Sequence, residues 1–358
     1  MRFAIIGCGV IAPVHAGAIS ALGTGHELVA VVDSDPERAQ AFTAEHGGVP
    51  GTDLAAVLAR GDVDAVAVCT PSGTHVDIAV AALEAGKHVV VEKPVDVSVA
   101  AADRLLSAER AAGRTVTVIS QHRFDAASQT VHAAAADGRL GRLTSGVASI
   151  AWWRTQGYYD SGDWRGTWAL DGGGALMNQG VHTVDLLVWV MGQPVEVSAQ
   201  TGLLAHAGIE VEDVAVATVR FASGALGVLH GTTAAYPGLS ARVQVHGDSG
   251  SAIIDDDRLA WFHTRSASSV EADAYGGSLS DNQVEQALAA AVAGEHGPTA
   301  GADPGPLGAA HQAQYADFVD AVATGRPPRV TVAAARRTVA TITAAYASAR
   351  TGRPVAID

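Results

Sequence analysis

The sequence predicts an α/β protein of two domains, a parallel sheet wrapped by helices followed by a largely antiparallel sheet with helices of its own. Three observations carry this expectation. Short apolar runs alternate with alanine-rich helical patterns up to about residue 121, longer segments of alternating apolar and polar residues take over beyond residue 123, and 358 residues are more than one small domain requires.

Residues 3–7, 28–33, 65–70, 88–92 and 115–121 are apolar runs of the length of strands buried on both faces, and helical patterns lie between them. That order calls for parallel strands joined by right-handed crossovers. Residues 143–153, 195–202, 214–221, 226–233 and 243–255 alternate instead, as strands with one face in a core do, with Gly224 and Gly250 at turns. The boundary is therefore expected at residues 121–126, giving domains 1–123 and 124–358. Residues 264–308 are rich in Gly, Ser, Ala and Pro apart from a helical pattern at 282–293, and are expected to make a long surface excursion. Helical patterns at 311–323 and 332–350 close the chain, each stopped by a glycine.

The 23 basic and 37 acidic residues leave a net charge of −14, which argues against nucleic acid or an anionic membrane as partner and favours a small molecule. Cys8 and Cys69 are the only cysteines, so neither a disulfide framework nor a cysteine-rich metal site is expected, and a cytoplasmic, reducing setting follows. The start of the chain shows no signal-peptide pattern, and no apolar stretch has membrane-spanning length.

Gly7-Cys8-Gly9-Val10-Ile11-Ala12 fits G-x-G-x-x-A between an expected strand and an expected helix. The first glycine suits a tight turn, the second lets backbone approach a pyrophosphate, and a small third residue packs helix on strand. Asp33 ends the next strand, 21 positions after Ala12, where an acid bonds the ribose hydroxyls of an adenine dinucleotide and repels a 2′-phosphate. NAD is thus expected ahead of NADP, with Arg38 the one feature pulling the other way. Thr70, Pro71, Ser72 and His75 follow the third strand and either line the cofactor or merely start a helix, with Ser72 or Thr74 as cap. Glu92-Lys93-Pro94 ends the fourth strand beside any nicotinamide, and a cis bond before Pro94 is expected there. Lys93 either donates a hydrogen bond to a substrate oxygen or is an ordinary surface lysine. After Gly172-Gly173-Gly174, a helix expected from Asn178 would place Asn178, His182 and Asp185 on one face. They would serve as hydroxyl ligand, proton acceptor and orienting acid, or as no more than a wet stripe, and no third ligand for a metal is evident.

The motifs GCGVIA, CTPSGTH, VEKP and GGGALMNQGVHTVD, followed by Trp189, together with the final helices, resemble the Gfo/Idh/MocA family of sugar and inositol oxidoreductases over nearly the whole chain except 264–308. The resemblance implies a Rossmann domain followed by an α/β domain whose large open antiparallel sheet covers the active site and builds a homodimer or homotetramer. It implies hydride transfer between NAD and a secondary hydroxyl of a sugar, sugar derivative or cyclitol, with Lys93 and His182 catalytic. An NAD-retaining glycosidase and a non-catalytic NAD-binding sugar sensor are the rival readings. Many members carry aspartate where this chain has Asn178, and an amide cannot relay a proton, so Asn178 is left to position the sugar. Gln121, Glu92 and Trp168 are expected at the cofactor, and Arg123, Arg165, Tyr159 and Asp185 at the substrate. Trp152, Trp153 and Arg154, on an alternating strand, are assigned to the sheet interface.

Overall fold

A computed structural model describes residues 1–265, 282–293 and 308–358. The chain divides into two compact units. One comprises Met1–Gln121, Asp163–Gly173 and the described part of Asp303–Val339; the other comprises His122–Gly162, the described part of Gly174–Ala302, and Ala340–Asp358.

The first unit begins β1 (Arg2–Ile6), α1 (Ala12–Ala21), β2 (Glu27–Val32), α2 (Pro36–His46), β3 (Val49–Gly51), α3 (Leu54–Leu58), β4 (Ala65–Val68), α4 (His75–Glu84), β5 (His88–Val91), α5 (Val99–Ala112) and β6 (Val116–Val118). All six strands run parallel in the order β3-β2-β1-β4-β5-β6, so the winding reverses between β1 and β4. Open α/β sheets bind ligands at the carboxyl ends of the strands where the order reverses. Helices on both faces account for the unbroken apolar runs: Phe3, Ile5, Val31, Ala65, Ala67 and Val90 are all fully buried. Pro36 follows the capping Asp35, whose carboxylate accepts from the Glu37 and Arg38 amides, and Ser98 caps α5 by accepting from Ala101.

The second unit holds α6 (Ala126–Ala136), β7 (Leu143–Ala151), α7 (Gln156–Tyr159), a π-helical turn (Ala175–Gln179), α8 (Val181–Met191), β8 (Pro194–Gly202), β9 (Val214–Phe221), β10 (Leu226–Thr232), β11 (Ala241–Gly247), β12 (Gly250–Asp255), β13 (Arg258–Thr264) and α9 (Val284–Ala293). Then α10 (Gly308–Thr324) returns to the first unit, placing Tyr315 and Phe318 with their ring centroids 5.7 and 6.5 Å from that of Phe3. The chain closes with α11 (Val332–Thr351) and β14 (Val355–Ala356). The eight strands follow the order β13-β12-β11-β7-β10-β9-β8-β14, antiparallel except for β7 beside β10. In β9 the residues Ala215, Ala217, Val219 and Phe221 are buried while Val216, Thr218 and Arg220 point outward, the period expected of a sheet with one open face.

Three added strands, one divided run and one turn differ from the expectation. β3 is an edge strand of three residues centred on Pro50, too short to show a period. The run at 243–255 is two strands, β11 and β12, paired as a hairpin. β13 follows through Asp256 and Asp257, both at positive φ, a two-residue turn without the glycine that usually announces it. β14 is two residues long. Most of 264–308 lies outside the described residues, and α9 falls where its helical pattern was read. Among the described residues no helix is long and apolar enough to cross a membrane.

Candidate active site

At the reversal point the loop after β1 lies hard against the end of β4. Gly7 has φ +94°, and a Cβ on it would stand 2.7 Å from the Cys69 carbonyl oxygen, so only glycine fits. Its N–H donates to Val32 O at 2.7 Å. Asp33 is 8% exposed and ties the loop to the next crossover: Oδ2 accepts from Cys8 N at 2.8 Å and Oδ1 from Asp35 N at 2.9 Å. Arg38 Nη2 faces Asp33 Oδ1 at 3.2 Å. Ala12 is fully buried against the sheet, whereas nothing stands within 4 Å of a Cβ built on Gly9, and Val10 is 87% exposed. An open cradle over backbone amides at a helix start fits a dinucleotide pyrophosphate.

The loops after β4 and β5 are clamped by His75, which is buried with Nδ1 2.8 Å from Pro94 O and Nε2 2.8 Å from Thr70 O. Burial pulls this imidazole below its usual value even though both carbonyls favour the proton. Thr74 donates to Pro71 O at 2.7 Å, Ser72 is buried, and Gly73 N donates to Leu170 O at 2.9 Å. The peptide bond before Pro94 is cis, as expected. Glu92 lies within a buried group: His15 Nε2 is 2.8 Å and His311 Nε2 3.6 Å from Oε1, Tyr315 Oη meets His15 Nδ1 at 2.7 Å, and Oε2 accepts from Lys93 N at 3.0 Å. Burial opposes the charge on Glu92, yet the two imidazoles hold its carboxyl well below the usual range. The Lys93 side chain is partly exposed, and its ammonium is shifted down by burial, against Glu92 and Asp171 and with help from Arg165. In the same unit Asp171 accepts from Gly166 N at 2.8 Å, Arg165 lies 4.5 Å over the Trp164 ring, Trp168 is 41% exposed and Gln121 is buried.

In the second unit the helix expected from Asn178 is divided. Residues 175–179 form a π-turn, closed by Gly180 N donating to Ala175 O at 2.8 Å, and α8 starts at Val181 with His182 in its first turn. The cause is Glu212. Its carboxylate accepts from Gly174 N and Leu176 N, both at 2.9 Å, and from Tyr346 Oη at 2.9 Å, while Tyr346 Oη accepts from Met177 N at 3.1 Å. Gly174 is obligatory, since a Cβ there would strike the Glu212 carbonyl. Burial pushes the Glu212 carboxyl up to about 7 against these hydrogen bonds.

One turn along α8, Asp185 meets Arg123 in a buried bidentate pair at 2.7 Å on each arm, with the guanidinium 5.3 Å over Trp189 and Trp189 stacked on His132. His122 lies edge-on to His182 with ring centroids 5.0 Å apart. Burial opposes a proton on His122, but Asp125 and Asp257, at 2.9 and 3.0 Å, raise it to about 10, which keeps this ring cationic. Asn178 Oδ1 accepts from Gln179 Nε2 at 3.2 Å, and Tyr159 Oη is buried on Thr233 Oγ1 at 2.7 Å. Past the end of β7 at Ala151 the backbone stays on the sheet, with Trp153 bridging Ala234 and Arg154 N donating to Thr233 O at 2.9 Å, while Arg154 Nη2 donates to Gln179 Oε1 at 3.0 Å. Gln179, Glu212, Tyr346, His15 and His311 had escaped notice; the visible signal for Glu212 was an acid pair, Glu212-Asp213, set directly before a buried strand.

Two family models match this chain: the Gfo/Idh/MocA oxidoreductase family, NAD-binding Rossmann fold, over residues 1–120, and the Gfo/Idh/MocA C-terminal domain over 128–253. A 1,5-anhydro-D-fructose reductase of Ensifer adhaerens is 33% identical over 70% of the chain and 75% of its own length. An inositol 2-dehydrogenase of Rhizobium meliloti is 28% identical over 72% and 76%. Among solved structures, the WlbA dehydrogenase of Bordetella pertussis, in complex with NADH and UDP-GlcNAcA, aligns over 100% of this chain and 98% of its own, with 32% identity and a TM-score of 0.86.

The raised Glu212 value makes a signed prediction for the second unit. A carboxyl whose folded value exceeds its unfolded one contributes stability that is fully present below the ordinary carboxylate range and is lost as pH rises through about 7. Melting temperatures taken from pH 5 to 8 should therefore fall more steeply for the wild type than for Glu212→Gln; parallel curves would show that the group does not titrate there.

Proposed function

Because the chain belongs to the Gfo/Idh/MocA oxidoreductase family, we propose that it is an NAD-dependent dehydrogenase oxidising a secondary hydroxyl of a sugar or sugar derivative to a ketone. The observation that carries this reading is the reversal point itself: a glycine loop moulded onto the end of β4 and tied to Asp33 just past β2, with Lys93 two residues past β5 in the same unit. Gly7 to Ala12 cradle the pyrophosphate, and Asp33 takes the ribose hydroxyls. Bound there, NAD supplies the acceptor for the hydride that leaves the carbinol carbon. Lys93 donates a hydrogen bond to the reacting oxygen, and its lowered value suits a proton held lightly. His182 takes the hydroxyl proton as the ketone forms, with Asn178 positioning the sugar and the Arg123–Asp185 pair fixing the helix that carries the histidine. Arg165, Trp168 and Gln121 are read as ligand contacts. The relative crystallised with UDP-GlcNAcA supports a pyranose derivative as substrate class.

The test is absorbance of reduced nicotinamide while wild type, Lys93→Ala and His182→Ala meet a panel of sugars, anhydrosugars, inositols and nucleotide sugars with NAD or NADP. The wild type should form NADH with at least one sugar, and each variant should lose about 10²- to 10⁴-fold in kcat. Sugar cleavage without NADH accumulating would favour the glycosidase, and faster NADP reduction would remove the role given to Asp33.

The assembly is read as a homodimer or homotetramer in the cytoplasm. Both cysteines are free thiols, as a reducing compartment allows. The open face of the second sheet carries Val216 on β9 and Leu226 and Val228 on the neighbouring β10, each exposed within the chain. Light scattering should give a multiple of 36.3 kDa that Leu226→Lys with Val228→Lys reduces; a wild-type monomer would contradict it.

A further inference from the structure

Arg154 is fixed by its backbone before its side chain does anything. Its N–H donates to Thr233 O at 2.9 Å, and its carbonyl receives His206 Nε2 at 2.8 Å. His206 is itself held by Asp213 at 2.9 Å, with both side chains buried. The guanidinium then lies 4.8 Å over the Trp152 ring and 5.3 Å over the Tyr158 ring. Gln179, which accepts from Arg154 Nη2, donates to both Tyr158 Oη at 2.8 Å and Asn178 Oδ1 at 3.2 Å. The cation therefore stands one side chain away from Asn178.

The arrangement lacks a counter-charge. Arg123 is matched by Asp185, Arg326 by Asp317 and Arg60 by Asp62, but among the described residues no carboxylate lies within ion-pair distance of Arg154. Its Nε is buried with no acceptor. A partly buried charge left without a partner is costly, and the chain as a whole has an excess of acids from which one could have been drawn. Two aromatic rings and a fixed backbone hold the guanidinium in place, and its planar fork matches a group with two coplanar oxygens better than a lone hydroxyl.

We propose that Arg154 recognises a carboxylate carried by the sugar, so that the substrate class of this site is a uronic acid or its derivative. The inference rests on the reading of Asn178 as a sugar ligand. The Gln179 amide links the two functions: its carbonyl orients the cation and its N–H₂ group orients Asn178.

Calorimetric titration of the protein saturated with NADH, where no oxidation can proceed, tests it with matched pairs: glucuronate against glucose, galacturonate against galactose, and a UDP-linked N-acetylglucosamine against its uronate. The uronate of a pair should bind at least tenfold tighter to the wild type. Arg154→Gln should bring the two members within threefold, with the loss falling mainly on the uronate, and Arg154→Lys, which keeps the charge without the fork, should fall between. Equal or tighter binding of the neutral members, no binding of either, or a gain from the UDP group with none from the carboxylate would overturn the proposal. So would an Arg154→Gln protein that loses both members alike, or one that changes only its particle mass in light scattering. If the uronate preference holds and no sugar yields NADH, the dehydrogenase reading fails and the carboxylate site stands.

Discussion

The contact on which the first unit depends is between two stretches of backbone: Gly7, at the end of the first strand, and the carbonyl of Cys69, at the end of the fourth. Parallel strands hand over to helices at their carboxyl ends, so the loops there must crowd, and a side chain at Gly7 would push them apart. With the glycine in place, Asp33 reaches the loop amide and His75 reaches across to the two loops beyond. Hydrogen bonds thus fasten neighbouring strand ends to one another. A stretch of open backbone beside an acid follows from that fastening.

The second unit solves a different problem, how to hold polar side chains steady at a helix start. A π-turn carries an extra residue against the ladder of an ordinary helix and leaves amides without partners. Glu212 and Tyr346 take those amides, one from the strand side and one from the last helix. Arg123 and Asp185 then lock the next turn. Both devices put a costly group in the interior and match it with donors or an opposite charge, which is how buried polar groups are tolerated.

Much of this was legible in the residues. The parallel sheet showed in unbroken apolar runs, because strands covered on both faces need no alternation, and the glycine loop and Asp33 showed in their spacing. The terminal helices and most of the second sheet showed in their periods. What stayed hidden has a common physical cause: it depends on partners far away in sequence. The Glu92 group draws on His15 and His311, the π-turn on Glu212 and Tyr346, and Arg154 finds Gln179 only after folding. The turn at Asp256-Asp257 was missed for a local reason, since non-glycine residues at positive φ carry little signal. That the segment Asp163–Gly173 joins the first unit has no counterpart in local periodicity at all.

The central claim is that the fastened strand ends of the first unit are one dinucleotide cradle. Hydrogen–deuterium exchange with and without NADH reads this directly and needs no knowledge of the substrate. Slowed exchange is predicted together in the peptides holding Gly7 to Ala12, Asp33 to Arg38, Thr70 to His75 and Glu92 to Val97, with β12 and β13 of the second unit unaffected. Protection absent from the Gly7 loop, or confined to the second unit, would contradict the account.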